Sequence, residues 1–289
     1  MIVIGCSHGK HVAKAIARKA KCAYGEITAE RFPDNEQHLT IRGSVDKRRV
    51  ILVQSFHDNP DGCLIEVLLA AWQAKQMGAT SVSLMAPFFA YMRQDKSFTI
   101  GEVNSIHALG PLISHSFDQL YILDPHLHRE KTLGHIFSIP SHRLTANPLI
   151  ANAIKSLKNP LIVGPDWESY KWAQRTADMI GAEATILEKD RTDARNVKVH
   201  FKKKVEIKGR HCILIDDMIS TGHTLLETIK KLKKLEAKKI TCYAVHGLFV
   251  EGALEKLKKT GASVITTNSI PNPTGKLDVS GLFAEKLKQ

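Results

Sequence analysis

The strongest constraint on this chain is a rhythm. Short apolar runs of strand length alternate with longer stretches whose apolar residues recur at helical spacing, first in one half and then in the other. Runs at 2–4, 50–54, 82–86 and 119–123 read as strands, with helical patterns at 11–19, 63–77 and 104–113 between them. The second half repeats this with strands at 161–163, 184–187, 212–215, 240–245 and 263–266, and helices at 167–180, 224–235 and 252–259. Such alternation predicts an α/β chain of two tandem units, each a mainly parallel sheet flanked by helices. The boundary is expected near 141–147, between the turn at Pro140 and the helix start at Asn147-Pro148. That gives an N-terminal domain of residues 1–143 and a C-terminal domain of residues 144–289. With 289 residues in all, each half is long enough to bury its own core. The amphipathic stretch 282–287 has no packing partner that the sequence identifies.

Composition narrows the classes of function. The longest apolar stretch, near 64–72, is interrupted by Glu66 and too short to span a bilayer, and residues 1–5 read as a strand rather than a leader, so a soluble cytoplasmic protein with no membrane partner is expected. Five cysteines lie scattered without paired spacing, which argues against both a disulfide framework and a zinc site and predicts free, mostly buried thiols. The formal net charge of +12 suits nucleic acid, acidic lipid or small phosphorylated substrates. Its distribution favours the last. Much of the excess lies in Lys202 to Lys204 and in lysines 230, 231, 233, 234, 238 and 239, mostly on the expected solvent face of a helix, with no interleaved aromatics to stack bases.

The stretch from Cys212 to Leu226 carries the most chemistry. Ile213 to Ile215 reads as a buried strand, a polar turn follows, and the apolar periodicity from Leu225 begins a helix. At that helix start the unpaired amides and the dipole favour an anion, the hydroxyls of Ser220, Thr221 and Thr224 add donors, and Gly222 permits close backbone approach. Asp216 and Asp217, at the strand end, suit ribose hydroxyls or a divalent metal, and would repel a phosphate. No Gly-Lys-Ser/Thr follows, which excludes a Walker loop.

This segment resembles the ribose-phosphate loop of the phosphoribosyltransferase fold, and further motifs narrow the likeness to the ribose-phosphate pyrophosphokinase family. Arg31-Phe32-Pro33-Asp34-Asn35-Glu36 is similar to that family's Phe-x-Asp-Gly-Glu loop, and Pro87 to Asp95 to its aromatic Arg-Gln-Asp loop. Asp124-Pro125-His126 resembles its Asp-x-His, Gly164-Pro165-Asp166 its x-Pro-Asp, and Glu188-Lys189-Asp190-Arg191 its catalytic Lys-x-Arg. The resemblance implies two tandem phosphoribosyltransferase-like domains that transfer diphosphate from ATP to the anomeric hydroxyl of ribose 5-phosphate. It assigns nucleotide binding to Phe32, Asp34, Asn35, Glu36, Arg93 and Gln94, with Phe88, Phe89 and Tyr91 expected in core and turn packing. Ribose-phosphate binding falls to Arg191, Asp216, Asp217, Ser220, Thr221, Gly222, His223 and Thr224, catalysis to Lys189 and Arg191, and Mg2+ contacts to His126 and Asp166. Because the Phe32 loop reaches a neighbouring subunit's site in that family, a homo-oligomer is implied.

The chain departs from the family pattern in places. Gly222 precedes His223 in the sugar loop, Trp167-Glu168-Ser169 stands where Gly-Gly is usual, and Asn35 replaces a glycine, a mild change because Asn tolerates left-handed backbone. Those departures define the alternative of a catalytically inactive regulatory homologue that binds nucleotide or partner subunits, against which stand Lys189, Arg191, His126 and Asp166. A nucleobase phosphoribosyltransferase would have no need for the Phe32 and Arg93 loops. A metal hydrolase could use Asp124, His126 and His128, which share one face if the segment is extended, but further ligands at recognisable spacing are missing.

Overall fold

The computed structural model of the protein describes residues 1–93, 99–127, 132–167, 169–191, 197–201 and 205–288, the side chains of 187–191 and 197–201 excepted. The chain divides into two compact units, Met1–Thr145 with Val279–Gln289, and Ala146–Asp278.

In the first unit the sheet contains β1 (Ile2–Gly5), β2 (Ala23–Arg31), β3 (Gln37–Arg42), β4 (Arg49–Val53), β5 (Ser81–Ala86), β6 (Gln119–Leu123) and β7 (Ser141–Leu144). Their order is β3-β2-β1-β4-β5-β6-β7, parallel throughout except for the β2–β3 hairpin. Every residue of β1 is buried, as expected of a strand with helices on both faces of its sheet. Helix α1 (Lys10–Ala20) buries Val12, Ala13, Ile16 and Ala17, a helical stripe, and ends where Lys21 turns left-handed at φ 53°. Helix α2 (Pro60–Gln76) starts cleanly: Asn59 accepts from the Gly62 amide at 3.1 Å, and Pro60 occupies the first turn. Helix α3 (Ser105–Ser116) is capped by Asn104, whose side chain accepts from the His107 amide.

The second unit repeats the plan. After α4 (Asn147–Ile154) come β8 (Leu161–Gly164), α5 (Tyr170–Ile180), β9 (Glu183–Arg191), β10 (Val197–Phe201), β11 (His211–Ile219), α6 (His223–Lys234), β12 (Lys239–Gly247), α7 (Ala253–Lys259), β13 (Ser263–Thr267) and β14 (Gly275–Leu277). The sheet order is β10-β9-β8-β11-β12-β13-β14, with β9–β10 the antiparallel pair. Shifted by seven strands, this is the order of the first sheet. Each sheet therefore reverses its direction of winding between equivalent strands, β1 and β4 in one and β8 and β11 in the other, and each carries one antiparallel hairpin at the same edge.

The edge strands β7, β10 and β14 go beyond the sequence expectation, and three further features differ from it. The hairpin strands β2 and β3 escape a search for buried runs because most of their residues are only partly covered. Helix α5 begins at Tyr170 rather than Trp167, since Asp166 and Ser169 close a turn of their own there. The C-terminal stretch leaves the second unit: α8 (Ser280–Lys286) packs against α1 and buries Phe283 and Ala284, so the expected division of 1–143 and 144–289 does not describe the last residues. Four cysteines are buried and Cys22 is half-buried, all of them free. Among the described residues, no helix is long and apolar enough to cross a membrane. Replacing Phe283 by Ala should cost about 3–5 kcal/mol of stability, read as a lower denaturation midpoint, while Glu285→Ala on the exposed side of the same helix should leave the midpoint within error.

Candidate active site

Polarity in the second unit gathers where its central parallel strands end. Strand β11 is buried from Cys212 to Ile215, and then meets two carboxylates, the half-buried Asp216 and the buried Asp217. Pairing sets Leu214 level with Val163, which brings Asp166, three residues beyond Val163, beside them. The three charges feel one another. Burial first, then the Asp217 and Asp166 carboxylates, push Asp216 well above the ordinary carboxylate range, while the Asp217 amide, which donates to Asp216 Oδ1 at 3.0 Å, acts the other way. Three acidic groups crowded this way are a receptor for hydroxyl donors or a divalent cation.

Asp166 is held in place by Ser169. The Ser169 amide donates to Asp166 Oδ1 at 2.9 Å, the Asp166 amide donates to Ser169 Oγ at 3.1 Å, and the serine hydroxyl donates to the Asp166 carbonyl at 3.0 Å. The departure Trp167-Glu168-Ser169 thus supplies a positioning residue, and Trp167 stands exposed, stacked on Tyr170 at 6.2 Å. Glu168 lies outside the described residues.

Next to this cluster the polar loop at 220–222 turns into α6. Gly222 takes φ 73°, a left-handed value that a side chain would strain, and no side chain caps the helix start. Ser220, Thr221 and Thr224 are half-buried and His223 is exposed at the first helical position, so the unshielded amides of the first turn open beside hydroxyl groups. The lysines at 230, 233 and 234 face solvent and Lys231 is half-buried, whereas Lys202 to Lys204 lie outside the described residues.

Lys189 and Arg191 lie on β9, where they pair with Val199 and Val197 of β10; their side chains and the stretch 192–196 lie outside the described residues. The equivalent hairpin of the first unit carries Phe32 to Glu36 at its tip. There Asn35 adopts φ 76°, the left-handed geometry that a glycine would otherwise supply. Its carbonyl accepts from Arg31 Nη1 at 2.6 Å, and the Glu36 amide donates to Asp34 Oδ1 at 3.2 Å. The half-exposed Phe32 ring sits 5.2 Å from His38. Under this hairpin two cavities, of about 270 and 560 Å³, open towards α2. Arg31 of the hairpin motif lines both with Gln37, and Ser7 and His8 line one; of these, Ser7, His8 and Gln37 carry no signal in the sequence.

Arg93 is exposed, and Gln94 lies outside the described residues. Phe88, Phe89 and Met92 are buried, with Phe89 4.8 Å from Phe56, and the Tyr91 hydroxyl donates to Asp61. His126 is half-buried just past the end of β6 in the first unit. The idea that Asp124, His126 and His128 share one extended face fails at its first member. The strand stops at Leu123, and Asp124 takes φ 36°, which turns the chain out of extended geometry; His128 lies outside the described residues.

A family profile described as the N-terminal domain of ribose phosphate pyrophosphokinase matches residues 1–111, and one described as a phosphoribosyl transferase domain matches residues 135–279. The chain is 33% identical over 279 residues to ribose-phosphate pyrophosphokinase of Pyrococcus furiosus, covering 96% of this chain and 97% of that one. It is 30% identical over 289 residues to the protein of the same name from Methanothermobacter thermautotrophicus, covering 99% and 100%. Phosphoribosylpyrophosphate synthetase from Mycobacterium smegmatis superposes with a TM-score of 0.86 over 99% of this chain and 97% of that one, at 24% identity, a likeness of fold. With both halves matched in order and relatives of full length, the chain belongs to the ribose-phosphate pyrophosphokinase family.

Proposed function

We propose that this protein transfers an intact diphosphate from ATP to the anomeric hydroxyl of ribose 5-phosphate, giving phosphoribosyl diphosphate and AMP. The observation that carries the reading is the second unit's strand-end site, where Asp166, Asp216 and Asp217 crowd beside an uncapped helix start opened by the left-handed Gly222. Acceptors for sugar hydroxyls and donors for a phosphate stand next to each other there, and the pyrophosphokinases of the archaeal relatives bear a matching name.

Each group then has a task. The amides and hydroxyls of Ser220, Thr221, Gly222, His223 and Thr224 hold the 5-phosphate, while Asp216 and Asp217 accept from the ribose hydroxyls. Lys189 and Arg191, two residues apart on β9, stabilise the charge that spreads over the transferring group as the sugar hydroxyl attacks the β-phosphorus in line. Phe32 stacks on the adenine, Asp34 or Glu36 accepts from its amino group, Asn35 shapes the hairpin tip, and Arg93 with Gln94 reaches the nucleotide. The crowding around Asp166 fits a hard dication, because Ser169 engages Oδ1 and the carboxylates repel one another without a counter-charge. His126 in the first unit and Asp166 in the second would each offer a contact to Mg2+, and that ion would supply screening of the phosphate charge of ATP. Free thiols and phosphorylated substrates agree with a cytoplasmic setting.

An oligomer is supported by α2. Ile65, Leu69 and Trp72 are 49%, 45% and 61% exposed at helical spacing, an apolar stripe on the helix that lies beside the Phe32 hairpin. A second copy covering this stripe would place a hairpin near a neighbour. Trp72→Glu should therefore lower the molar mass read by light scattering after size exclusion; an unchanged mass would put the contact elsewhere.

The assay for the reaction is AMP release with ATP, Mg2+ and ribose 5-phosphate, with and without the sugar phosphate. Sugar-dependent AMP matched by phosphoribosyl diphosphate is expected, and Lys189→Ala should reduce kcat by about a hundredfold or more with little change in ATP affinity. Nucleotide binding without turnover would mean an inactive homologue. The carboxylate crowding also predicts a pH signature in metal-free protein. A raised folded pKa makes its stabilising contribution below the unfolded value of 3.8 and loses it as pH rises through the folded one, so the Asp216 carboxyl costs stability at neutral pH relative to acid. Asp216→Asn should raise Tm in EDTA at neutral pH, with a gain that vanishes near pH 4, about the ordinary carboxylate value. A Tm difference independent of pH would contradict the crowding.

A further inference from the structure

The repeated sheet order has a chemical corollary in the first unit. The place equivalent to Asp166 and Asp216 is the crevice beyond β1 and β4, the strands at which winding reverses, and in open parallel sheets that crevice is where ligands bind. Imidazoles stand there instead of three carboxylates. Pairing sets Gly5 level with Val53, so that His8 and His57, three and four residues further on, converge. Gly9 permits the approach: a Cβ at that position would lie 1.9 Å from the Val53 carbonyl oxygen. The two rings are 4.5 Å apart, centroid to centroid, and one donor atom from each of His8, His57 and Asp58 lies within 4.8 Å of the others.

The hydrogen bonding leaves these donors open. Asp58 Oδ2 lies 3.0 Å from His57 Nδ1; a carboxylate only accepts, so Nδ1 carries the proton and Nε2 the lone pair. That Nε2 is buried, in a side chain only 8% exposed, and has no hydrogen-bond partner. A buried acceptor without a donor is unfavourable, so the position is one that a ligand would relieve. Burial outweighs the Asp58 charge and holds the His57 imidazole below its ordinary pKa, in the neutral form that ligates. His8 is oriented from behind. Its Nδ1 lies 3.1 Å from Cys63 Sγ and 3.3 Å from Ser7 Oγ, and Ser7 gives its own proton to Glu66 Oε2 at 2.5 Å, so the serine oxygen is an acceptor and His8 Nε2 is the nitrogen left to a ligand. The cysteine spacing argues against zinc, yet the donors here are imidazoles 49 positions apart that only the fold unites.

We propose that His8 and His57 form a binding site for a divalent transition-metal ion of the zinc type, with Asp58 orienting the His57 ring from its Nδ1 side, separate from the carboxylate cluster of the second unit. Two imidazole nitrogens are borderline donors, which select zinc over magnesium. The site fronts the cavity beneath the Phe32 hairpin, which His8 shares with Arg31, so a bound ion adds a second cation to that cavity wall.

The test is calorimetric titration of Zn2+ into full-length, EDTA-stripped protein in millimolar Mg2+, together with X-ray absorption at the zinc edge. One zinc per chain with two imidazole nitrogens in its shell is expected, and His57→Gln and His8→Gln should each weaken that binding by about tenfold or more. His142→Gln, on β7 away from the cluster, should leave it unchanged. The absorption spectrum of the unaltered protein decides the matter if a variant fails to fold. An oxygen-only shell, a titration indifferent to both substitutions, or zinc lost through Asp216→Asn instead would overturn the proposal. None of these readouts depends on diphosphate transfer.

Discussion

A parallel sheet covered on both faces has no surface to give away except at its strand ends. In both units the central strands are buried along their length, Ile2–Gly5 in one and Leu161–Gly164 in the other, so helices and apolar side chains use up every lateral direction. Groups that need water, a sugar or an ion must stand where the backbone leaves the sheet. Asp166, Asp216 and Asp217 all do so, and their mutual repulsion is tolerable because the ends of two neighbouring strands open to a ligand. The same restriction applied to the first sheet puts His8 and His57 at its corresponding ends.

Repetition of one topology with different residues divides labour along the chain. Each sheet offers an edge hairpin and a crevice. In the first unit the hairpin carries an aromatic and acidic tip suited to a base, and in the second it carries Lys189 and Arg191, suited to phosphoryl charge. The crevices diverge likewise into imidazole and carboxylate. One strand order thus presents two different sets of side chains at equivalent places.

What the sequence discloses follows from how local each determinant is. Ile213 to Ile215, the polar turn and the periodicity from Leu225 are contiguous, so strand, loop and helix are legible together, as is the tolerance of Asn35 for left-handed backbone, met at φ 76°. Strands β2 and β3 are not legible, because Glu, Arg, Thr and His on a half-covered hairpin leave no buried run. The left-handed turn at Asp124 breaks a face that spacing alone would grant. Nearness of Asp166 to Asp216, or of His8 to His57, is a consequence of strand pairing across some fifty residues of chain, and no local pattern encodes it. Ser169 belongs with these: as part of a departure from pattern it reads as intrusion, while in the fold it ties down Asp166.

The return of α8 to α1 gives the molecule an unusual order of assembly. The second unit, Ala146–Asp278, is one unbroken stretch, whereas the first needs residues from Val279 onward to cover α1. On the ribosome the stretch made first is therefore completed last. Until Phe283 emerges, α1 waits with an open apolar flank while the later unit already has all of its own chain, which reverses the usual N-to-C sequence of domain maturation.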